Sequence, residues 1–237
     1  ELKDKYNLNY RCHNYFPPPK NPFVLNLASL NDKTFQMSFD HLQKVIALSN
    51  RLGAGKFAFH AGFFIDIKLN EIGRKLSRDI LFNKEKSIER FCNAYNVLKK
   101  QVKNVSLYIE NNVFSKTNAD TYDGENPFMM ANFSEYESLK EKIDFNLLLD
   151  VAHLKVSAKT LSLDWESEFE NMMSVSNYIH VSDNDGFHDL NNQLTKTSSL
   201  LTMLEQSNTK NKDFTLEVYD GMSAIKKSHE ALLRVVS

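Results

Sequence analysis

The sequence has few cysteines and no long hydrophobic stretch, and these two absences exclude several classes of protein. Its 237 residues include only Cys12 and Cys92, too few for a disulfide framework and not at the spacing of zinc ligands. The longest apolar runs are only as long as a β-strand, so no segment is predicted to cross a bilayer. Two isolated thiols suit a reducing compartment, and we therefore expect a cytoplasmic protein.

The chain also lacks an excess of either charge. Its 29 basic and 30 acidic residues are well mixed along the sequence and leave a formal net charge of −1. No basic stripe predicts a nucleic-acid partner, and no acidic tail predicts a basic one. A neutral body can still carry a locally basic groove, so charge alone does not exclude an enzyme that acts on DNA.

Short apolar runs alternate with longer amphipathic stretches, which indicates successive βα units on a parallel sheet. Six strands are predicted, near residues 9–14, 56–61, 105–110, 145–150, 177–182 and 213–218. Helices are predicted near residues 35–51, 85–103, 134–142, 165–175, 197–206 and 222–236. No linker divides the chain, so we expect a single α/β domain that spans residues 1–237.

The predicted architecture is a (β/α)8 TIM barrel that lacks about two N-terminal βα units in this chain, because closure needs eight strands. The alternative is an open, doubly wound sheet made of the predicted strands alone. Two of the loops that follow strands, residues 14–34 and 111–133, are long. Long loops at the carboxyl ends of parallel strands are where such folds carry their chemistry.

An ionisable residue stands at or just past the end of every predicted strand. These residues are His13, His60, Glu110, Asp150, His180 and Glu217. Each has a plain structural explanation by itself, since a strand-end histidine is often a hydrogen-bonded core residue and a carboxylate often caps the next helix. A parallel barrel, however, directs all of them toward one mouth. Burying such a set without a counter-charge is very unfavourable, so the pattern predicts a divalent metal ion.

The types of residue narrow the choice of metal. Mixed carboxylate and imidazole ligands suit zinc, manganese, cobalt or iron, and suit magnesium less well. His153 follows Asp150 by three residues, so its side chain can face the same mouth from the first turn after the strand. Such an Asp-x-x-His pair is weak evidence alone, but it strengthens the prediction in the company of the other strand-end residues.

The motifs in chain order resemble those of the xylose isomerase-like TIM barrels. They are His60-Ala-Gly, Ile-Glu110-Asn, Asp150-x-x-His153, His180-x-Ser-Asp-Asn-Asp-Gly and Leu-Glu217. This superfamily groups sugar and sugar-phosphate isomerases and epimerases with apurinic endonucleases, and the likeness runs from about residue 9 to the C-terminus. The resemblance implies one metal ion, and the residues that would bind it are Glu110, Asp150, His180 and Glu217.

The resemblance also implies roles for residues around the metal. The residues that would contact the substrate are His153, Asp185 and His188. His13 and His60 would bind either the substrate or a second metal ion, and the loop of residues 14–34 would form the rim of the pocket. The run Ser182–Gly186 has the composition of a polar turn, and it resembles the sugar isomerases more closely than the endonucleases.

The endonuclease branch of the superfamily holds three zinc ions, and this chain departs from its pattern. The third zinc site takes an Asp-x-His pair, where this sequence has Asp189-Leu190-Asn191. The neighbouring His188 stands at a different spacing from Asp189. A Gly-Glu-Gly element that both branches often carry is Thr195-Lys196-Thr197 here. A complete trinuclear site, and with it phosphodiester cleavage, is therefore not the favoured prediction.

We therefore expect a metal-dependent isomerase or epimerase of a sugar, sugar phosphate or polyol. Glu110 and Glu217 would transfer a proton next to a carbonyl, through a metal-stabilised enediolate. The alternatives are a metal-dependent phosphodiesterase acting on abasic DNA, like the apurinic endonucleases, and a catalytically inactive sugar-binding barrel. The expected partner is a small sugar and not a membrane, and members of the superfamily often form homo-oligomers.

Overall fold

The computed structural model describes residues 2–236 and shows a mixed α/β protein. Its strands are β1 (Lys56–His60), β2 (Ser106–Glu110), β3 (Asn146–Asp150), β4 (Ser176–Val181) and β5 (Asp213–Leu216). Its α-helices are α1 (Leu2–Tyr6), α2 (Asp32–Leu52), α3 (Lys84–Lys99), α4 (Lys116–Thr121), α5 (Phe133–Lys140), α6 (Val151–Thr160), α7 (Trp165–Val175), α8 (Ser199–Gln206) and α9 (Met222–Val236). A 3₁₀ turn covers Leu69–Glu71. None of the helices in the described range is both long and apolar enough to cross a membrane.

The first predicted strand, residues 9–14, does not form. The backbone in this segment makes a single parallel bridge, between Cys12 and Phe57, and no continuous ladder. The prediction is wrong because one face of the segment, Asn9, Arg11 and His13, is exposed and the apolar residues of the other face are only half-buried, so a longer ladder would bury little apolar surface. The other predicted strands are present within two residues of their expected ends. The additional N-terminal βα units stay a prediction.

Contacts within the chain divide it into two compact units. Unit 1 comprises the chain up to Ile109, with Pro127–Met129 and Lys140–Asn146. Unit 2 comprises Glu110–Asn126, Met130–Leu139 and the chain from Leu147 onward. The expectation of a single domain therefore stays a prediction, and each unit is described by itself.

Unit 1 is built around β1, which helix α2 covers. Phe57 and Phe59 of β1 expose 1% or less of their surface. Helix α2 contacts both β1 and α3, and the apolar residues that it buries at helical spacing are Leu42, Val45 and Ile46. The helix ends at Gly53, whose φ of 63° lies in the left-handed region that favours glycine. Strands β1 and β2 are neighbours in the sheet.

Unit 2 contains three neighbouring parallel strands in the order β3, β4, β5. Strand β3 contains the buried apolar run Leu147–Leu149. Such a continuous apolar run is expected of a parallel strand that is covered on both faces. Helices α6 and α7 pack on each other and on β4, while α9 packs on α8 and β5. In the ladder, Asp150 pairs with His180 and Val181 pairs with Leu216. The carboxyl ends of the three strands are therefore level.

Candidate metal centre

Four ionisable side chains of unit 2 come together at strand ends. Glu110 ends β2, Asp150 ends β3, His180 is the last residue but one of β4, and Glu217 follows β5 directly. One ligand atom from each of Glu110, Asp150 and His180 lies within 4.8 Å of the other two. Glu217 joins them through its Oε1, which lies 2.9 Å from Nδ1 of His180. These are the four residues that the sequence predicts as metal ligands.

Two buried atoms of this cluster make no hydrogen bond. They are Oδ2 of Asp150 and Nδ1 of His180. Carboxylate oxygens of Glu110 and Glu217 lie 3.5 and 2.9 Å from Nδ1, but neither contact has the geometry of a hydrogen bond. An unsatisfied buried polar group costs about 1–3 kcal/mol.

A divalent cation among these atoms would satisfy both of them, because each carries a lone pair when it is deprotonated. The donor set of carboxylate oxygens and an imidazole nitrogen is one that zinc, manganese and cobalt accept. Three carboxylates around one imidazole also leave an excess of negative charge for a cation to neutralise. The residues present therefore fit a divalent metal ion.

The electrostatics of the cluster show how strongly protons compete for these atoms. Burial disfavours the charged imidazole of His180, but the carboxylates of Glu110 and Glu217 outweigh burial and raise its pKa to about 12. Burial also raises the pKa of Asp150. The charge of His153 lowers this pKa, and the carboxylates of Glu110 and Glu217 raise it further. A metal ion would have to displace protons from His180 and Asp150, so its affinity should depend on pH.

His153 lies in the first turn of α6 and is almost fully buried. Its Nδ1 lies 2.9 Å from the backbone oxygen of Asn111, and its Nε2 lies 3.4 Å from Oδ2 of Asp189. Burial disfavours the charged ring, but the carboxylates of Asp150 and Asp189 hold the pKa of His153 well above its usual value. The sequence analysis names Asp189 only as part of the altered Asp-x-His motif and does not predict its contact with His153.

Two further residues near the cluster are not identified by the sequence analysis. The side-chain amide of Asn111 is fully buried and bonds to the backbone of Asp150 at 2.7 and 3.0 Å. Tyr219 lies two residues after Glu217 and is largely exposed, and desolvation of its hydroxyl together with the carboxylates of Glu217 and Asp189 raises its pKa. The only sequence signals are the asparagine of the Ile-Glu110-Asn motif and an aromatic residue close to a predicted ligand.

Asp185 and His188 lie in a turn after β4, and both are exposed. Nδ1 of His188 lies 2.9 Å from Oδ2 of Asp185, whose Oδ1 accepts hydrogen bonds from the backbone N–H groups of Phe187 and His188. These contacts fold residues 185–188 into a hydrogen-bonded loop. The interpretation of the run Ser182–Gly186 as a polar turn stays an interpretation. A role for either residue in substrate binding stays a prediction.

His13 and His60 both belong to unit 1. His13 is exposed, and its Nδ1 accepts a hydrogen bond from the backbone N–H of Tyr15 at 3.2 Å. His60 ends β1 and is partly buried. Their roles in binding a substrate or a second metal ion stay predictions.

Asn191, which the motif resemblance aligns with a histidine of the endonucleases, makes local contacts in this structure. Its φ is 48°, a left-handed conformation that asparagine adopts more readily than most residues. Its Oδ1 accepts a hydrogen bond from the hydroxyl of Ser182 at 3.0 Å, and its backbone oxygen accepts one from the N–H of Tyr219. These contacts shape the loop after β4.

Replacing Asp150 with asparagine tests the charge balance of the cluster. The raised pKa of Asp150, about 7, means that wild-type protein without metal loses stability as pH rises from about 4 through 7. Asp150→Asn keeps an oxygen for the N–H of His153 but cannot ionise. At pH 8 and in chelator, we expect the free energy of unfolding of the variant to exceed that of wild type by about 1 kcal/mol or more.

The measurement is urea unfolding between pH 4 and 8 in chelator, followed by thermal melts with added zinc. Zinc should raise the melting temperature of wild type, because a ligand that binds only the folded state stabilises it. The variant should gain much less. A variant that keeps the steep wild-type pH dependence, or an equal response to zinc, contradicts this account.

Solved structures with the same fold include epimerases and an endonuclease. A D-tagatose 3-epimerase-like protein matches with a TM-score of 0.71 over 99% of this chain and 80% of its own, at 15% identity. A D-psicose 3-epimerase from Clostridium cellulolyticum, solved with D-tagatose, matches with a TM-score of 0.62 over 90% of this chain and 75% of its own, at 11% identity. Endonuclease IV from Thermus thermophilus matches with a TM-score of 0.61 over 90% of this chain and 71% of its own, at 15% identity. No protein-family model and no curated protein matches the chain.

These similarities are structural, since the sequence identities are too low to carry a reaction from one protein to another. They fall on both branches of the superfamily that the motifs resemble. They also agree with the alternation of strands and helices predicted from the sequence. This chain therefore shares its fold with these solved structures.

Proposed function

We propose that this protein is a metal-dependent isomerase or epimerase of a sugar, a sugar phosphate or a related polyol. The observation that supports this most directly is the cluster of Glu110, Asp150, His180 and Glu217, which holds two buried atoms without hydrogen bonds. The names of the similar structures support the substrate class, because they include a D-tagatose 3-epimerase-like protein and a D-psicose 3-epimerase.

The four residues would hold a zinc, manganese or cobalt ion, which supplies Lewis-acid polarisation of a substrate carbonyl and offsets developing negative charge on its oxygen. The chain's own contribution is proton transfer. Glu110 and Glu217 approach the same imidazole nitrogen from different strands, at 3.5 and 2.9 Å. That arrangement supplies two carboxylates to one small site, as a reaction that removes and returns a proton requires.

In this proposal one glutamate takes the proton from the carbon next to the carbonyl, and the other returns a proton to the same or the adjacent carbon. Return to the opposite face of the same carbon inverts it. Return to the adjacent carbon, with the hydroxyl proton passing to the former carbonyl oxygen, isomerises the sugar. His153 would hold a substrate oxygen, since its buried ring is fixed by Asn111 and Asp189. Asp185 and His188 would contact the substrate from the exposed turn.

Phosphodiester cleavage of abasic DNA is the alternative that the fold leaves open, because endonuclease IV shares it. The role of Asn191 in the loop after β4 weighs against that alternative. Its side-chain oxygen already accepts a hydrogen bond from Ser182. The resemblance of the motifs implies that it stands in place of the histidine of the third zinc site. A barrel that only binds sugar would not need the four clustered ligands.

A direct assay separates the three activities. The protein, supplied in turn with zinc, manganese and cobalt, is incubated with a panel of ketoses and ketose phosphates and, separately, with a duplex that carries one abasic site. We expect an epimer or isomer of at least one sugar and no strand cleavage above the metal-only control. Cleavage of the duplex with no sugar turnover contradicts the proposal, and sugar binding without turnover supports the inactive barrel.

Glu217→Gln distinguishes catalysis from metal binding. The substitution keeps the shape and one oxygen donor but removes the basic carboxylate. Metal affinity should fall moderately, while the rate should fall about a hundred- to ten-thousand-fold, as loss of a general base usually does. Saturating metal should restore occupancy without restoring turnover.

The matched change is His153→Gln, which should raise KM and leave one metal ion bound. Metal content is measured by elemental analysis and turnover by chromatography of the sugar products. If saturating metal returns Glu217→Gln to near wild-type turnover, Glu217 is only a ligand and the two-glutamate mechanism is wrong.

A further inference from the structure

The side chain of Asn111 forms a two-point contact with the backbone of Asp150. Its Oδ1 accepts a hydrogen bond from the N–H of Asp150 at 2.7 Å, and its Nδ2 donates one to the C=O of the same residue at 3.0 Å. Asn111 has no exposed surface, and Asp150 exposes 1% of its own. Both backbone groups of Asp150 are therefore held by one side chain.

The carboxylate of Asp150 is held as well, at one of its two oxygens. As the N-cap of α6, Asp150 accepts a hydrogen bond at Oδ1 from the N–H of His153, at 2.8 Å. Its Oδ2 is buried and makes no hydrogen bond. Three polar groups of this residue are thus fixed by neighbours, and Oδ2 is the one left to bind a cation.

Asn111 also orients His153, through its backbone. Its carbonyl oxygen lies 2.9 Å from Nδ1 of His153. A carbonyl only accepts hydrogen bonds, so Nδ1 must carry the hydrogen and Nε2 must face Asp189. One residue therefore sets the position of Asp150 and the ring orientation of His153.

We propose that Asn111 is a positioning residue for the metal centre, whose amide aims Oδ2 of Asp150 at the cation. The inference rests on the proposed metal-dependent function. Partners that orient a ligand typically change metal affinity about 10- to 100-fold when they are removed. The amide is suited to this task because it offers a donor and an acceptor at fixed separation, which matches the N–H and C=O of a single residue.

Unit 1 contains the same kind of contact in the loop of residues 14–34, which is the predicted rim of the pocket but holds none of the four predicted metal ligands. Oδ1 of Asn26 accepts a hydrogen bond from the N–H of Phe63, and its Nδ2 donates one to the C=O of Phe63, both at 3.0 Å. Asn26 is 1% exposed. It also bonds to Ala28 and Ile65, so its loss should disturb the fold at least as much as the loss of Asn111. Asn26→Ala is therefore the matched control for Asn111→Ala.

The experiment is a titration of wild type, Asn111→Ala and Asn26→Ala with Co²⁺ alone, followed by visible absorption and by calorimetry. Co²⁺ reports both affinity and ligand geometry, since its visible bands depend on the coordination sphere. We expect Kd to rise at least about tenfold in Asn111→Ala, with altered bands. Asn26→Ala should lose stability in urea but keep the wild-type Kd and spectrum.

Asn111→Ser, which puts a hydroxyl in place of the amide and cannot reach both backbone groups, serves if the alanine variant does not fold, and the same rise in Kd is expected. A folded Asn111 variant with wild-type Kd and spectrum overturns the inference while the proposed function stands. An equal loss of affinity in Asn26→Ala also overturns it, because the effect would then follow from stability alone. If wild type gives no signal with Co²⁺, the same comparison is made by calorimetry with Zn²⁺ and with Mn²⁺. A wild type that binds none of the three ions overturns the proposed function itself, and the inference with it.

Discussion

The burial of three carboxylates around one imidazole is the constraint on which the rest of this structure depends. Glu110 and Asp150 are almost inaccessible to water, whereas the side chains of His180 and Glu217 expose 12% and 26% of their surface. Without a cation, a proton must hold His180 in its charged form and burial resists ionisation of Asp150. Such an arrangement costs free energy. Groups with strongly shifted pKa values cluster at functional sites, where a ligand or a reaction uses their charge.

The scaffold of unit 2 places these groups with few degrees of freedom. Parallel pairing sets Asp150 beside His180 and makes the ends of β3, β4 and β5 level. The start of α6 then uses one oxygen of Asp150 as its cap, which turns the other oxygen toward the cluster. Strand register and helix capping, two ordinary features of the fold, thus produce an ordered set of ligand atoms.

Much of this could be predicted from the sequence, because strand-end positions of a parallel sheet converge whatever the intervening residues are. Apolar runs that end in Glu110, Asp150 or His180 therefore predict both the strands and the cluster. The strand at residues 9–14 was wrongly predicted, since periodicity does not show that Asn9 and Arg11 would remain in water. The side-chain contacts of Asn111 and Asn191 are made with partners 39 and 9 residues away, which no local pattern reveals.

The central claim is that the cluster of Glu110, Asp150, His180 and Glu217 binds a divalent cation. The most direct measurement is equilibrium dialysis of the chelator-treated protein against zinc, manganese and cobalt in turn, with elemental analysis of the retained metal. The account predicts about one tightly held ion per chain for at least one of these metals, and loss of that ion when Asp150 and His180 are both replaced by alanine. Retention of no metal by the folded wild-type protein, or undiminished retention by the double variant, would contradict it.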